Sequence, residues 1–408
     1  MNRPRLAALL LLPLLAFGGP GTRAADRHSI AEEHFRLVVE SKRQNGLGRA
    51  LAEADRLVER FPNFLLAHLV RADLLHIRAG PTSPRNLSDS AAQARIEDLR
   101  VEAEARLRAH ADHPPRDRVP RYVLQLGQAY RHIVLVDASR WRVFLYENDG
   151  STLRLVADYY TSLGKRGIDK LREGDQKTPI GVFHVTSMIP GSKLPDLYGW
   201  GAFPISYPNE WDRLRGRTGY GIWLHGVPAD TYARAPWASD GCIALANPDI
   251  AELGKYLEVG TTPVVISRGI DWVTPETMRR EREGFLRQFE QWRTDWESRD
   301  TERFLSHYAA AFRTDRLDRV AFSAQKRRVN AAKSWIRIGV SDIAVLRNPG
   351  TDNMMVVTFH QDYRSSSYAQ RSRKRQYWVE EQGRWKISYE GSVSAIPRTL
   401  LPESYPGG

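Results

Sequence analysis

The run H-I-V-L-V-D-A-S-R-W-R-V-F-L-Y-E-N-D-G-S-T-L-R-L-V-A-D-Y-Y, residues 132–160, decides the fold class. Three β-branched and aromatic stretches, H-I-V-L-V-D, W-R-V-F-L-Y-E and L-R-L-V-A-D-Y-Y, predict three strands. N-D-G at 148–150 predicts the hairpin turn between the last two, because both turn residues must reach positive φ. Further strands are expected at Gly181–Ser187, Ala202–Tyr207, Tyr220–His225 and Thr262–Ser267, with a short helix starting after Asn247-Pro248. Many short strands with Gly and Pro turns predict a mostly-β sandwich or partly closed barrel.

The flanks read differently. Upstream, apolar residues fall at helical spacing across 29–110. The segment G-L-G-R-A-L-A-E-A-D-R-L-V-E-R-F-P-N-F-L-L-A-H resembles a tetratricopeptide helix pair, with small Ala50 and Ala54 and a break at Pro62. No second clear copy follows, and a third helix, Ser90 to His110, ends before Pro114-Pro115. The N-terminus combines M-N-R-P-R, a short apolar run and a small-residue exit, which predicts a secretory signal peptide cleaved after Ala24 or Ala25. Downstream of Pro275 an amphipathic helix is expected, then a helix over Thr301–Phe312. Strands near Trp335–Leu346, Met354–Tyr363, Arg375–Glu380 and Arg384–Tyr389 follow, with E-Q-G-R as a turn. That order resembles the nuclear transport factor 2-like (NTF2-like) cone, and Q-R-S-R-K-R (370–375) reads as a solvated hairpin tip. The expectation is a multidomain α+β chain: signal peptide 1–25, helical module 26–125, β-rich domain 131–268 and α+β domain 276–398.

Sixty Lys plus Arg against 48 Asp plus Glu give a net charge of +12. In an exported protein such an excess faces anionic wall polymers or head groups rather than nucleic acid, or is simply a solvated surface. Cys242, in S-D-G-C-I-A-L (239–245), is the one cysteine of the 408 residues, so it has no partner for an internal disulfide. It is either an inert buried thiol or a nucleophile, and a nucleophile needs a base beside it. His225, seventeen positions upstream at the end of G-Y-G-I-W-L-H, is the nearest candidate in the chain. Gly241 permits a tight turn, and backbone N–H groups there could form an oxyanion hole. No C-x-x-C, H-E-x-x-H or P-loop spacing occurs, so no metal or other cofactor is expected, and H-A-D-H (110–113) reads as a helix-end charge pattern. His184 reads as a satisfied strand histidine. Trp200, Tyr207, Trp211, Tyr220 and Trp237 read equally as groove walls or as packing.

H-G-V (225–227) followed by S-D-G-C-I resembles the signature of the YkuD-type L,D-transpeptidases. G-K (164–165) and G-D-Q-K-T-P-I-G-V-F-H-V (174–185) resemble that family's upstream hairpin, and the likeness covers about 131–268. With its flanking modules the chain is most similar to the three-domain cell-shape L,D-carboxypeptidases. The resemblance implies acyl transfer on peptidoglycan stem peptides in the periplasm or cell envelope. Cys242 would be the nucleophile, His225 the general base and acid, Gly226 the carbonyl orienting the imidazole, and Gly241 an oxyanion N–H donor. Ser239, Asp240, Lys165, Thr178 and Tyr220 would face substrate. An amine acceptor makes the enzyme an L,D-transpeptidase. Water makes it an L,D-carboxypeptidase or a hydrolase of crosslinks or lipoprotein tethers. A non-catalytic wall-binding scaffold is the rival from another class. Two positions depart from the family pattern: Asp240 stands where many members carry His, and Ala244 where many carry Arg. An aspartate near the thiol would raise its pKa.

Overall fold

The structure, a computed structural model, describes residues 30–44, 46–80, 90–111, 114–150, 152–350 and 353–393. The expected signal peptide lies outside the described residues, as do 112–113 of the H-A-D-H segment. Among the described residues no helix is long and apolar enough to cross a membrane.

Four helices come first: α1 (Ile30–Arg43), α2 (Leu47–Arg60), α3 (Leu65–Ala79) and α4 (Ser90–Ala111). Ala50, Leu51, Ala54 and Leu57 recur every three or four residues, and this face of α2 is buried. The small alanines let α1 and α3 approach closely, bringing Val38 and Leu74 into one cluster with Ala50 and Ala54. Pro62 falls just past the end of α2, where a helix cannot continue.

The β-rich region forms a five-stranded sheet ordered 153–160, 142–148, 132–137, 263–267, 181–184. Strands His132–Asp137 and Pro263–Ser267 pair in parallel, and the other pairs are antiparallel. A smaller sheet runs 243–244, 223–225, 201–204, 189–190. Val134, Val136, Val264 and Ile266 meet Phe203, Leu224 and Ile243 of that second sheet, which completes the expected sandwich. Two short helices, α5 (Glu210–Leu214) and α6 (Asn247–Gly254), interrupt the strands, and α6 plugs the core with Ile250 and Leu253.

The third part opens with α7 (Pro275–Glu297), capped by Thr274, whose hydroxyl accepts from the Thr277 N–H at 3.2 Å. Phe285, Phe289, Trp292 and Trp296 of α7 cover one face of a sheet ordered 308–313, 384–392, 368–381, 354–365, 336–347, 123–125. Residues 119–125 thus pair forward in the chain, Val119–Pro120 with Trp272–Val273 and Val123–Gln125 with the strand Ile336–Arg347.

Two sequence expectations are corrected here, and one helix is added to them. The helix over Thr301–Phe312 stops early: α8 covers Thr301–Ser306, and Tyr308–Arg313 is a strand parallel to Arg384–Ser392. Phe304, Leu305, Tyr308, Ala309 and Phe312 sit at helical spacing, but edge pairing and ring packing of Tyr308 and Phe312 against Phe322 outweigh it. Phe322 belongs to α9 (Arg319–Ala331), a helix that the sequence reading passed over, capped by Asp318 accepting from Ala321 N–H at 2.9 Å. Finally, 370–375 is no hairpin tip but part of the strand Tyr368–Glu381.

Its basic residues instead join the two sheets. Arg373 donates to Gly260 O at 3.2 Å and to Tyr130 Oη at 2.9 Å. Arg375 pairs with Glu210 at 3.4 Å, and Tyr377 Oη donates to Glu210 at 2.8 Å. Arg375 also lies 3.5 Å from His184, which burial and the neighbouring arginine charge pull down to about 3, so it packs as a neutral ring. Around this polar latch, Ile133, Leu135, Phe144 and Val265 pack against Leu346, Met354, Val356 and Tyr377.

Glu210 carries the charge balance of this interface. Replacing it with alanine leaves Arg375 buried without a carboxylate, a loss of about 3–5 kcal/mol for a buried pair. Glu210→Ala is expected to lower the thermal midpoint measurably in calorimetry, whereas Glu210→Gln, which keeps an acceptor for Tyr377, should lose less.

Candidate active site

The parallel register pairs Leu224 with Ile243 and His225 with Ala244, so one step back sets Trp223 beside Cys242. Leu224 and Ile243 point into the sandwich core. Alternation then turns Trp223, His225 and Cys242 to the opposite face. Cys242 packs there with Trp223 and Tyr198. The Tyr198 ring lies 4.8 Å from Trp223 and 5.1 Å from His225, closing one wall of the site.

His225 is buried, and its Nδ1 lies 2.6 Å from the Gly226 carbonyl. A carbonyl only accepts, so Nδ1 carries the proton and Nε2 presents a lone pair. A side chain at Gly226 would meet Asn247 Oδ1 at 2.1 Å, so this position has to be glycine. Asn247 clamps the turn in return: Oδ1 accepts from Trp200 N–H at 2.9 Å, and Nδ2 donates to Val227 O at 2.8 Å. Sequence reading took Asn247 only as a helix start. Its positioning contact depends on loops 20 and 47 residues away.

The cysteine loop is held from within. Ser239 Oγ donates to Cys242 O at 2.7 Å and accepts from Gly241 N–H at 3.1 Å. Gly241 has φ +121°, and an added Cβ would stand 2.7 Å from Lys177 O. The Gly241 N–H is thus engaged by Ser239, and buried Ser239 braces the loop from within. Thr178 is fully buried, and its hydroxyl accepts from Gly164 N–H at 2.9 Å. For Asp175 burial favours the protonated acid, but Lys170 and the N–H groups of Arg172, Leu171 and Lys177 hold it down to about 2. The G-D-Q-K-T-P stretch is therefore a rigid wall.

Lys165, Asp240 and Tyr220 are exposed at the rim. Lys165 Nζ pairs at 2.8 Å with Asp240, whose carboxylate is 75 % exposed. Ala244 is buried, and its carbonyl accepts from Ser162 N–H and Thr161 Oγ1, both at 2.9 Å. One further cation was missed in the sequence. Arg234, half-buried on the loop after Val227, donates to Leu197 O at 3.5 Å and acts electrostatically on both His225 and Cys242. No spacing rule links it to either residue.

Cys242 Sγ donates to Gly221 O at 3.3 Å. Burial pushes the thiol up to about 11, with Asp240 adding to the rise and the Trp223 N–H, Arg234 and Lys170 opposing it. Burial likewise pulls His225 down to about 4; the Gly226 carbonyl opposes and Arg234 adds. The resting pair is a neutral thiol and a neutral imidazole. Such a pair can move the thiol proton to Nε2 as the sulfur attacks. Among the described residues no three His, Cys, Asp or Glu side chains converge as a metal-binding group.

Residues 131–266 match the L,D-transpeptidase catalytic domain, YkuD, and residues 284–391 match the Cds6 C-terminal NTF2-like domain. YafK of Escherichia coli (strain K12), a protein named for L,D-transpeptidase activity, is 29 % identical over 114 residues, 28 % of this chain. The match spans 42 % of that relative's length. Bd1075 of Bdellovibrio bacteriovorus superimposes with a TM-score of 0.61 at 26 % identity, covering 68 % of this chain and 98 % of that one. The helical cell shape determining protein Pgp2 of Campylobacter jejuni does so at 0.56 and 26 %, covering 66 % and 95 %. The chain carries an L,D-transpeptidase catalytic domain and an NTF2-like C-terminal domain.

Three outcomes are expected. With His225 neutral down to about pH 4, the acid limb of kcat/KM should fall near 4 rather than near 6.5. Iodoacetamide labelling of the lone thiol should climb with pH toward about 11, well past the ordinary cysteine midpoint. Asn247→Ala should lower kcat about 10–100-fold, as loss of an orienting contact does, while labelling at high pH persists.

Proposed function

We propose that the protein is an exported peptidoglycan-remodelling enzyme that acts as an L,D-transpeptidase on stem tetrapeptides through a Cys242 thioester. The observation that carries this reading is the His225 Nδ1–Gly226 carbonyl contact at 2.6 Å. It leaves the Nε2 lone pair on the sheet face shared with Cys242, one strand away. The domain match supports the same chemistry.

In this reading, Nε2 takes the thiol proton as Sγ attacks the carbonyl between meso-diaminopimelate and the terminal D-Ala. The tetrahedral oxyanion accepts from the Cys242 backbone N–H. On collapse the C–N bond breaks, and imidazolium returns the proton to the departing D-Ala amine. An imidazole with a low pKa is a willing acid at that second step. The thioester then passes its acyl group to the amine of a second stem peptide.

A second reading, L,D-carboxypeptidase action in which water resolves the thioester, is favoured by the extent of the likeness to Pgp2, a cell-shape protein whose chain is 95 % covered. In either case the substrates are wall stem peptides, and the place of work is the periplasm. The basic excess of +12 suits contact with anionic wall polymer.

Mass spectrometry of muropeptides incubated with the protein decides the matter. New diaminopimelate–diaminopimelate dimers mean transpeptidation, and loss of one D-Ala from disaccharide tetrapeptide means carboxypeptidation. Cys242→Ala and His225→Ala should each cut product formation by at least roughly 10³-fold. Unchanged muropeptides with the unaltered protein, over a range of wall fragments, would remove the enzyme reading and leave the scaffold.

A further inference from the structure

The loop that carries Arg234 is pinned to an unusual degree. Tyr160 Oη donates to Arg234 O at 2.9 Å, Ser162 Oγ to Ala235 O at 2.6 Å, and Leu163 N–H to Pro236 O at 2.8 Å. Two residues upstream, Tyr232 is buried against Phe64 and Phe61 at 4.4 and 5.1 Å. The backbone at Arg234 is therefore fixed, and its side chain runs to the site wall at Leu197, next to the Tyr198 ring that covers His225.

The guanidinium is charged, half-buried and without a carboxylate partner among the described residues, and its hydrogen bond to Leu197 O is long at 3.5 Å. The nearest acidic candidate, Asp240, is taken by Lys165 at 2.8 Å. Burial works against a charge held in this way. A substrate that ends in D-Ala brings the missing anion. Its terminal carboxylate lies three bonds beyond the scissile carbonyl carbon, so it must dock close to the sulfur that attacks that carbon.

We propose that Arg234 is the specificity-determining residue that receives the terminal carboxylate of the stem peptide; this rests on the stem-peptide reading above. A planar guanidinium binds a carboxylate through two parallel hydrogen bonds, which a carboxamide cannot match. The site would then select for chains ending in a free D-amino acid and against internal or amidated positions.

The test measures binding by calorimetry, on a Cys242→Ala background so that nothing turns over. The probes are the tetrapeptide L-Ala-γ-D-Glu-meso-diaminopimelate-D-Ala and the same peptide with a C-terminal carboxamide. The acid form is expected to bind about 10–100-fold more tightly than the amide, the range of a charge-assisted hydrogen-bonded pair. Adding Arg234→Gln should bring the two affinities together, and Arg234→Lys should restore part of the preference. Matching thermal midpoints would show that the variants are folded. Equal binding of acid and amide before Arg234 is altered, or a preference that survives Arg234→Gln, overturns the assignment. A purely electrostatic role would shift the pH course of Cys242 labelling in an Arg234→Gln protein that keeps its cysteine, and would leave the acid–amide preference of the Cys242→Ala pair unchanged. Absence of binding to either peptide, with no muropeptide product, overturns the stem-peptide reading itself and the assignment with it.

Discussion

The strand His132–Asp137 has to bury both of its faces. Val134 and Val136 enter the sandwich core, and Ile133 and Leu135 enter the contact with the C-terminal sheet. Its parallel neighbour Pro263–Ser267 divides in the same way, Val264 and Ile266 to one side and Val265 to the other. Burying a large aliphatic side chain stabilises by about 1.5–3 kcal/mol. Exposing Ile133, Leu135, Phe144 and Val265 together would remove an amount comparable to the whole stability of an ordinary domain. The NTF2-like sheet is thus the second cover of the catalytic sheet. It is not an appendage on a linker.

That constraint reaches the active site through one layer of packing. Leu224 and Ile243 anchor their strands in the core on one side, which sets His225 and Cys242 on the other in a register that cannot slip by one residue without turning both inward. Positioning and proton affinity are then set separately. The Gly226 carbonyl fixes the imidazole tautomer, while burial lowers His225 and raises the thiol. Both groups are therefore neutral near pH 7. A free thiolate–imidazolium pair would be the more nucleophilic arrangement at rest, but also the one more open to oxidation.

The sequence made the strands legible because a run such as H-I-V-L-V-D has no helical period and no polar face. It singled out Cys242 and His225 through the likeness of H-G-V, S-D-G-C-I and G-D-Q-K-T-P-I-G to the YkuD signature, since a lone thiol and a histidine seventeen positions away say little by themselves. What it hid was hydrogen-bond partnership. Ser239 and Thr178 have the side chains of substrate-binding residues, yet both hydroxyls are used up by nearby backbone. The charged run 370–375 looks solvated in any local reading. Only tertiary contact with Glu210 and Tyr130, more than 150 residues away, gives it an interior role. Tyr308–Arg313 failed for a related reason: apolar spacing fits a helix, and the parallel partner strand lies far downstream.

The same distance in sequence conceals what the helical module contributes. Arg106 of α4, in a buried pair with Glu102, stacks on Phe64 at 5.0 Å and on Tyr160 at 4.0 Å. Tyr160 in turn donates to the carbonyl of Arg234, and Phe61 and Phe64 enclose Tyr232 on the same loop. A surface loop without regular pairing is ordinarily among the most mobile parts of a domain. Here its outer side is roofed by aromatic packing and its carbonyls are tied to the strand beneath, so a charged side chain can be held near the half-buried thiol. The fold places Cys242 and His225 with two sheets. It places the cation beside them with helices that contribute no other residue to the site described here.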